Sequence, residues 1–382
     1  MSSPPFRAEH VGSLLRPEKL RAARAAAEGD IYRTATAPLR DAGLEAIEDE
    51  AVREAVRLQE DVGLQVITDG EYRRRSWFQD FLLSLSGTQI TWVDAERTVS
   101  AAMPFQDDTS VDRLPGHIIE VKSRLKRDGG IFTEHYKFLH GATTRTPKVS
   151  IPSPTQLHFW GGRDCIDKGV YPDIEQFWDD AITAWVTEIA ALHALGCRYV
   201  QIDDVTFPIL CDPRAQEAIR ARGDDPGVIL KTYAGVLNRI AAAVPKDITL
   251  GMHMCRGNNR GKWMGQGGYE YVSEVVFQAL DMPNYFMEYD TDRAGDFRPL
   301  RHLPKGKKVI LGLVSTKTPV LESKDALKRR IGEAAKFAPL DQLCLSPQCG
   351  FASNFMGNPV TIDDERRKLA LVVETARDVW GE

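Results

Sequence analysis

Short apolar runs that stop abruptly at polar or glycine residues recur along the chain, and a stretch with helical spacing follows most of them. They are QVITDGE (65–71), PKVSIPSP (147–154), RYVQIDD (198–204), ITLGMHMC (248–255), YFMEYD (285–290), KVILGLVSTK (308–317) and LCLSPQCG (343–350), with EHVGSLLRP (9–17) as an eighth near the start. Their lack of strict alternation predicts strands covered on both faces, as in a parallel sheet. Over 43–62, Leu44, Ile47, Ala51, Ala55, Leu58 and Val62 recur at intervals of three and four, and Gly63 follows as a stop. Over 174–195, Ile174, Phe177, Ala181, Trp185, Ile189 and Leu192 do the same before Gly196. Further helices are expected near 227–244, 323–337 and 362–380. Eight strands alternating with helices predict an α/β fold of the (β/α)8 TIM-barrel type.

The stretch from about 76 to 146 breaks this rhythm. Its alternating segments GTQITWVDAERTVSA and GHIIEVKSRLKRDGGIFTEHYKF, with Asp-Gly-Gly at 128–130, read as β-hairpins. It is expected to be an insertion after the second strand, within a single domain covering 1–382.

Composition narrows the function. The 382 residues are 43% hydrophobic and 27% charged, the balance of a globular protein. A net charge of -5 offers no basic footprint for nucleic acid, and no apolar run is long enough for a signal peptide or a membrane span. The expectation is a cytoplasmic protein with no membrane or nucleic-acid partner; nothing in the sequence sets an oligomeric state. Six cysteines are too sparse for a disulfide framework in so long a chain, which leaves thiols for metal or catalysis.

In a parallel barrel the active site lies at the C-terminal mouth, where the loops after the strands converge. Ser13, Glu71, Asp203, Asp204, His253, Cys255, Glu288, Lys317 and Cys349 all stand at or just beyond an expected strand end. Alone, His253 and Cys255 read more simply as neighbours by chance, Cys349 as a small buried residue and Glu288 as a paired carboxylate. Together they offer an imidazole, two thiolates and a carboxylate, a donor set that suits tetrahedral zinc. A divalent ion with three anionic ligands keeps one net negative charge. Such a centre polarises a carbonyl poorly, but it can hold an incoming thiol as thiolate, whereas a free thiol of pKa about 8.5 is mostly protonated at neutral pH.

The segments HVGSLLRP, ITDGEYRR, VQIDD, GMHMCRGN, FMEYD, LGLVSTKTPVLES and LSPQCGFAS, spanning residues 10 to 353, resemble the zinc-bearing C-terminal barrel of cobalamin-independent methionine synthase and its short, single-barrel relatives. The resemblance implies zinc on His253, Cys255, Glu288 and Cys349. It also implies that Ser13 holds a substrate carboxylate, while Glu71 and Asp203 take the α-amino group of homocysteine through charge-assisted hydrogen bonds. Ion pairing with the cluster Arg73 to Arg75, or helix capping, is the competing role for those two acids.

Where the family carries a histidine after strand seven that protonates the leaving nitrogen, this chain has Lys317, and the acid of the family's Asp-Glu-Pro turn is Asp204, followed by Val205. An unperturbed lysine, near pKa 10.4, donates protons weakly at neutral pH. The large N-terminal half of the full-length synthase has no counterpart here. His158 and Trp160, after strand three, are candidates to line a methyl-donor pocket, with an apolar wall and a capping histidine as alternatives. The expected activity is methyl transfer to the zinc-bound thiolate of homocysteine, from 5-methyltetrahydrofolate. A methyl-corrinoid or sulfonium donor, an epoxide:coenzyme M transferase and a structural-zinc binding protein are the competing readings. The coenzyme M reading suffers because Glu71 and Asp203 would repel a sulfonate.

Overall fold

The computed structural model describes residues 4–28, 41–92, 99, 103, 105 and 117–381. Its centre is a six-stranded parallel sheet in the order β10-β9-β8-β7-β6-β5. These strands are β5 (Val149–Pro152), β6 (Tyr199–Asp204), β7 (Thr249–Met254), β8 (Asn284–Glu288), β9 (Lys308–Val314) and β10 (Leu343–Pro347). Apart from the first residue of β7 and of β9, every position in them is buried. The non-alternating apolar runs follow from that, since helices cover one face and the interior fills the other. Each run of the sequence that falls on the sheet became a strand, and sequential strands sit side by side, the common arrangement for consecutive elements joined by helical crossovers.

Beyond β5, the short β1 (Val66–Ile67) pairs in parallel with β4 (Thr146–Pro147). The segment EHVGSLLRP carries no assigned strand, yet it runs between β10 and β1. Ala8 makes a parallel bridge to Leu345, the Glu9 N–H donates to the Leu345 carbonyl, and the Leu14 N–H donates to the Gly70 carbonyl.

The crossover helices lie close to where the spacing predicts them: Ala42–Asp61, Ile174–Ala194, Pro226–Ala243, Lys324–Ala334 and Ile362–Trp380. Their starts follow from side-chain capping. The Asp41, Asp173, Asp225, Ser323 and Thr361 side chains each accept a backbone N–H of the first turn. In Ile174–Ala194 the residues Phe177, Ala181, Trp185, Ile189 and Leu192 are buried, the larger of them each contributing roughly 1.5–3 kcal/mol. The Trp185 indole also donates to the Pro152 carbonyl at 2.7 Å, tying this helix to the end of β5.

Between β1 and β4, β2 (Ser86–Trp92) pairs antiparallel with β3 (His117–Lys126). Most of the residues connecting them, 93–116, lie outside the described set. The hairpin expected around Asp-Gly-Gly is a correction: residues 127–130 lead from β3 into a helix, Thr133–Ala142. Phe132, Tyr136 and Leu139, spaced by four and three, bury on the core, and the Glu188 carboxylate accepts the N–H groups of Ile131 and Phe132 at the helix start. Helical spacing and a borrowed cap prevailed over the turn signal of the two glycines. No helix among the described residues is long and apolar enough to cross a membrane.

Candidate active site

A cleft opens where β1, β6, β7 and β10 end, and Ser13, Glu71, Trp77, Asp203, Asp204, His253, Cys255, Asn258, Cys349 and Ser353 line it. The parallel sheet explains the convergence. Asp203 on β6 is in register with His253 on β7, Cys255 follows β7 by one residue, and Cys349 follows β10 by two.

One wall carries sulfur and nitrogen. Atoms of His253, Cys255 and Cys349 that can ligate a metal lie within 4.8 Å of one another, all buried. The two sulfurs are 3.4 Å apart, and both cysteines are free thiols. The contact with Cys255 holds the Cys349 thiol well below its ordinary pKa, against the opposing effect of burial. The same contact, reinforced by burial, pushes Cys255 up. Neither ring nitrogen of the buried His253 makes a well-formed hydrogen bond, its side-chain interaction being with the Cys349 thiol, and this is costly unless something from outside the chain satisfies it. An imidazole so placed beside two free thiols fits a soft, tetrahedral cation.

Glu288, the fourth expected donor, is fully buried beside this group but does not join it. One of its oxygens accepts the Arg256 N–H at 2.8 Å, and the other meets the Arg293 guanidinium at 2.6 Å. Burial opposes its charge, yet Arg293, Lys317 and Arg256 outweigh burial and hold the carboxyl at about 2.

The opposite wall carries carboxylates. Glu71 stands on left-handed backbone, φ 60°, directly after Gly70 at φ 65°. A non-glycine residue held there is strained, and such residues gather at functional sites. Its N–H donates to Asp69 Oδ1 at 2.9 Å, which supports the turn. Burial raises the Glu71 carboxyl, and burial pushes Asp203 up to about 7. Of the arginines expected to compete for these acids, Arg73 pairs with Glu48 and Asp49, and Arg74 reaches Glu71 Oε2 only at 3.8 Å. Ser13 is pressed against the loop after β10: its carbonyl accepts the Phe351 N–H, and a Cβ on Gly350 would come within 1.9 Å of its hydroxyl. A side chain at 350 would force that hydroxyl to rotate away.

Of the remaining sequence candidates, Asp204 also lines the cleft, whereas Lys317, His158 and Trp160 do not. Asp204 spends its carboxylate locally: Oδ1 accepts from the Thr206 and Phe207 N–H groups and Oδ2 from the Thr155 hydroxyl at 2.7 Å, capping the short helix Thr206–Leu210. The Lys317 ammonium donates to the Gly257 carbonyl and to Asn258 Oδ1 at 3.3 and 3.2 Å. The Asn258 amide in turn donates to the Gly350 carbonyl and the Ser353 hydroxyl, so this lysine helps to pin the loop after β7 to the loop after β10. His158 lies away from the cleft, 2.9 Å from the Tyr233 hydroxyl and tilted on Trp178, with burial lowering its pKa to about 4. Trp160 donates to Gln156 at 3.1 Å. The sequence reading missed Trp77 and Ser353 in the lining and Arg293 behind Glu288. An aromatic pair closely following ITDGE, and an arginine five residues beyond Glu288, were the available signals.

Comparison with known proteins shows the family. The family described as "Cobalamin-independent synthase, Catalytic domain" matches residues 166–377. The uncharacterized protein YxjH of Bacillus subtilis is 40% identical over 385 residues, covering 98% of this chain and 95% of that one. A methionine synthase of Pyrococcus abyssi is 26% identical over 314 residues, covering 80% of this chain and 76% of its own length. A crystal structure from Listeria monocytogenes, provisionally described as a vitamin-B12-independent methionine synthase, superposes with a TM-score of 0.76 at 31% identity and 100% coverage of both chains. The chain belongs to the cobalamin-independent methionine synthase family, a family of methyltransferases.

Proposed function

We propose that this protein is a zinc-dependent methyltransferase that carries a methyl group to the thiol of homocysteine, with 5-methyltetrahydrofolate as donor and methionine as product. The observation that carries the reading is the meeting of two free thiols and an imidazole, with little beyond one another to satisfy them, across one cleft from a pair of buried carboxylates. We read the segment 7–14 as the strand that closes the sheet into a (β/α)8 barrel. The chain is then one domain over 1–382, interrupted by a hairpin-bearing insertion over about 76–146. Six free cysteines suit a reducing, cytoplasmic setting.

His253, Cys255 and Cys349 would hold the zinc, with Glu288 as fourth donor once its carboxylate turns from Arg293. Bound zinc lowers the pKa of a coordinating thiol, so that the thiolate exists at neutral pH. The chain's own residues do the rest. Glu71 and Asp203 face the substrate ammonium, and Ser13 with its neighbouring backbone takes the carboxylate; three polar anchors fix the thiol's direction before reaction. Lys317 is the candidate proton source for the leaving nitrogen, and to act it must give up Gly257 and Asn258. Asp204 shapes the loop beside Asp203, and His158 and Trp160 support the third-strand wall of a donor pocket.

The test combines metal analysis of freshly reduced protein with a transfer assay. Homocysteine is offered with 5-methyltetrahydrofolate, methylcobalamin or a methylsulfonium, and coenzyme M with an epoxide. Stoichiometric zinc and methionine from the folate are expected. Protein without zinc, or turnover only with coenzyme M and epoxide, would sink the proposal, while methionine formed only from another donor would replace the folate and keep the thiol.

A further inference from the structure

Beneath the two cleft carboxylates lies a layer of polar side chains inside the sheet, where apolar packing would cost less. Ser150 on β5 and Gln201 on β6 are register partners. The Ser150 hydroxyl lies 2.9 Å from Glu71 Oε1, and the Gln201 amide nitrogen lies 2.7 Å from Asp203 Oδ1. Each of these two side chains can donate or accept. Each also has a buried cation behind it, Arg74 at 3.2 Å from the Ser150 oxygen and Lys148 at 3.0 Å from Gln201 Oε1.

A guanidinium or ammonium only donates. Arg74 therefore occupies the Ser150 oxygen as an acceptor and leaves its proton to Glu71. Lys148 likewise claims the Gln201 carbonyl oxygen, and the Val11 carbonyl takes the second amide hydrogen at 2.7 Å, so the amide cannot turn round. The lower end is anchored as well. Lys148 also meets Glu9 Oε2 at 3.4 Å, and Glu9 Oε1 accepts from the Tyr199 hydroxyl and the Phe6 N–H. Both relays thus run in one direction, from cation through a two-way group to a carboxylate oxygen. Glu71 Oε2 is meanwhile left buried with no hydrogen-bond partner.

We propose that Ser150 and Gln201 are positioning residues which hold Glu71 and Asp203 as oriented acceptors for an α-ammonium group, with Arg74 and Lys148 setting their polarity. The inference rests on the reading of the cleft as a site for an amino-acid thiol. Its consequence is specificity: this layer favours a thiol bearing an α-amino group over the same thiol without one.

The experiment measures equilibrium binding of homocysteine and of 4-mercaptobutanoate, which lacks only the amino group, to zinc-loaded wild-type protein and to Ser150→Ala and Gln201→Met. Binding does not depend on the methyl donor. Zinc content and thermal stability are followed beside it. Wild type is expected to prefer homocysteine. Each variant should bind homocysteine about tenfold more weakly, the scale of one hydrogen bond to a charged group, and bind 4-mercaptobutanoate within about twofold of wild type, with zinc retained. Variants that keep the wild-type preference, or that weaken both thiols alike, overturn the positioning role while leaving the amino-acid-thiol reading intact. A wild type indifferent to the amino group overturns that reading, and this inference with it.

Discussion

The two walls of the cleft solve the problem of buried polar groups in opposite ways. On the wall built by β1 and β6, each cleft carboxylate has one oxygen taken by a donor from the layer below. On the wall built by β7 and β10, the imidazole and the two sulfurs have little beyond one another. Braced groups are ready-made acceptors for a visiting cation on a substrate, whereas unsupported donors are complete only when something binds between them. Glu288 sharpens the contrast. It sits on the sulfur side yet is braced by Arg293, as though it belonged to the other wall.

The largest effect should come from the unbraced side. Cys349→Ser is expected to lose bound metal and turnover together, by more than the roughly 10–100-fold that loss of a supporting partner costs a metal site; elemental analysis and the transfer assay on one preparation check it, and full activity would refute the assignment. Next is Arg293→Met, which strips the guanidinium from two buried carboxylates, Glu288 and Asp290. Breaking such a group costs about 3–5 kcal/mol, read by chemical denaturation. If Glu288 serves as a ligand, the loss should be smaller in zinc-loaded protein than in zinc-free protein. An equal loss in both would keep Glu288 on the structural side of the comparison.

On the braced side, Asp203→Asn should weaken homocysteine by about tenfold or more while zinc stays bound, measured by calorimetry. Glu365 provides a test of bracing away from the cleft. Buried in the last helix, its carboxylate accepts the Leu15 N–H at 2.8 Å and has no other hydrogen-bond donor among the described residues, and burial pushes its pKa up to about 8. The folded protein therefore binds this proton more tightly than the unfolded chain, so its contribution to stability falls as pH rises from the ordinary carboxyl value to about 8. Glu365→Gln should flatten that slope and stabilise the protein at pH 8 relative to wild type, with little change near pH 4, in denaturation series run across pH. The smallest effect is expected from His158→Gln, a shift of about 1 kcal/mol in stability read by denaturation, with a donor KM raised by no more than about threefold, since it acts on the donor wall only through its packing.

Much of this arrangement was legible from strand ends alone. His253, Cys255 and Cys349 could be grouped because abrupt apolar-to-polar transitions mark where parallel strands deliver their last side chains. What those transitions cannot show is which polar group a side chain prefers once it arrives. Nothing in FMEYD says that Glu288 will face Arg293, since that choice rests on a loop conformation and on desolvation. Asp204 likewise has the same local signature as Asp203, yet its carboxylate turns down to cap the next helix. The supporting layer did leave a trace. Lys148 and Ser150 in PKVSIPSP, and Gln201 and Asp203 in RYVQIDD, are polar at a spacing of two inside otherwise apolar strands, the period of one sheet face. Asp-Gly-Gly misled because its turn propensity is local, while the helix after it is fixed by Glu188 from a distant element.

The contact between Gly350 and Ser13 limits how this cleft could be remodelled. Because a side chain at 350 would displace the serine hydroxyl, substitutions meant to admit a bulkier or differently shaped ligand at that corner would alter residue 13 as well. Reshaping the pocket from the Trp77 side would leave that serine in place.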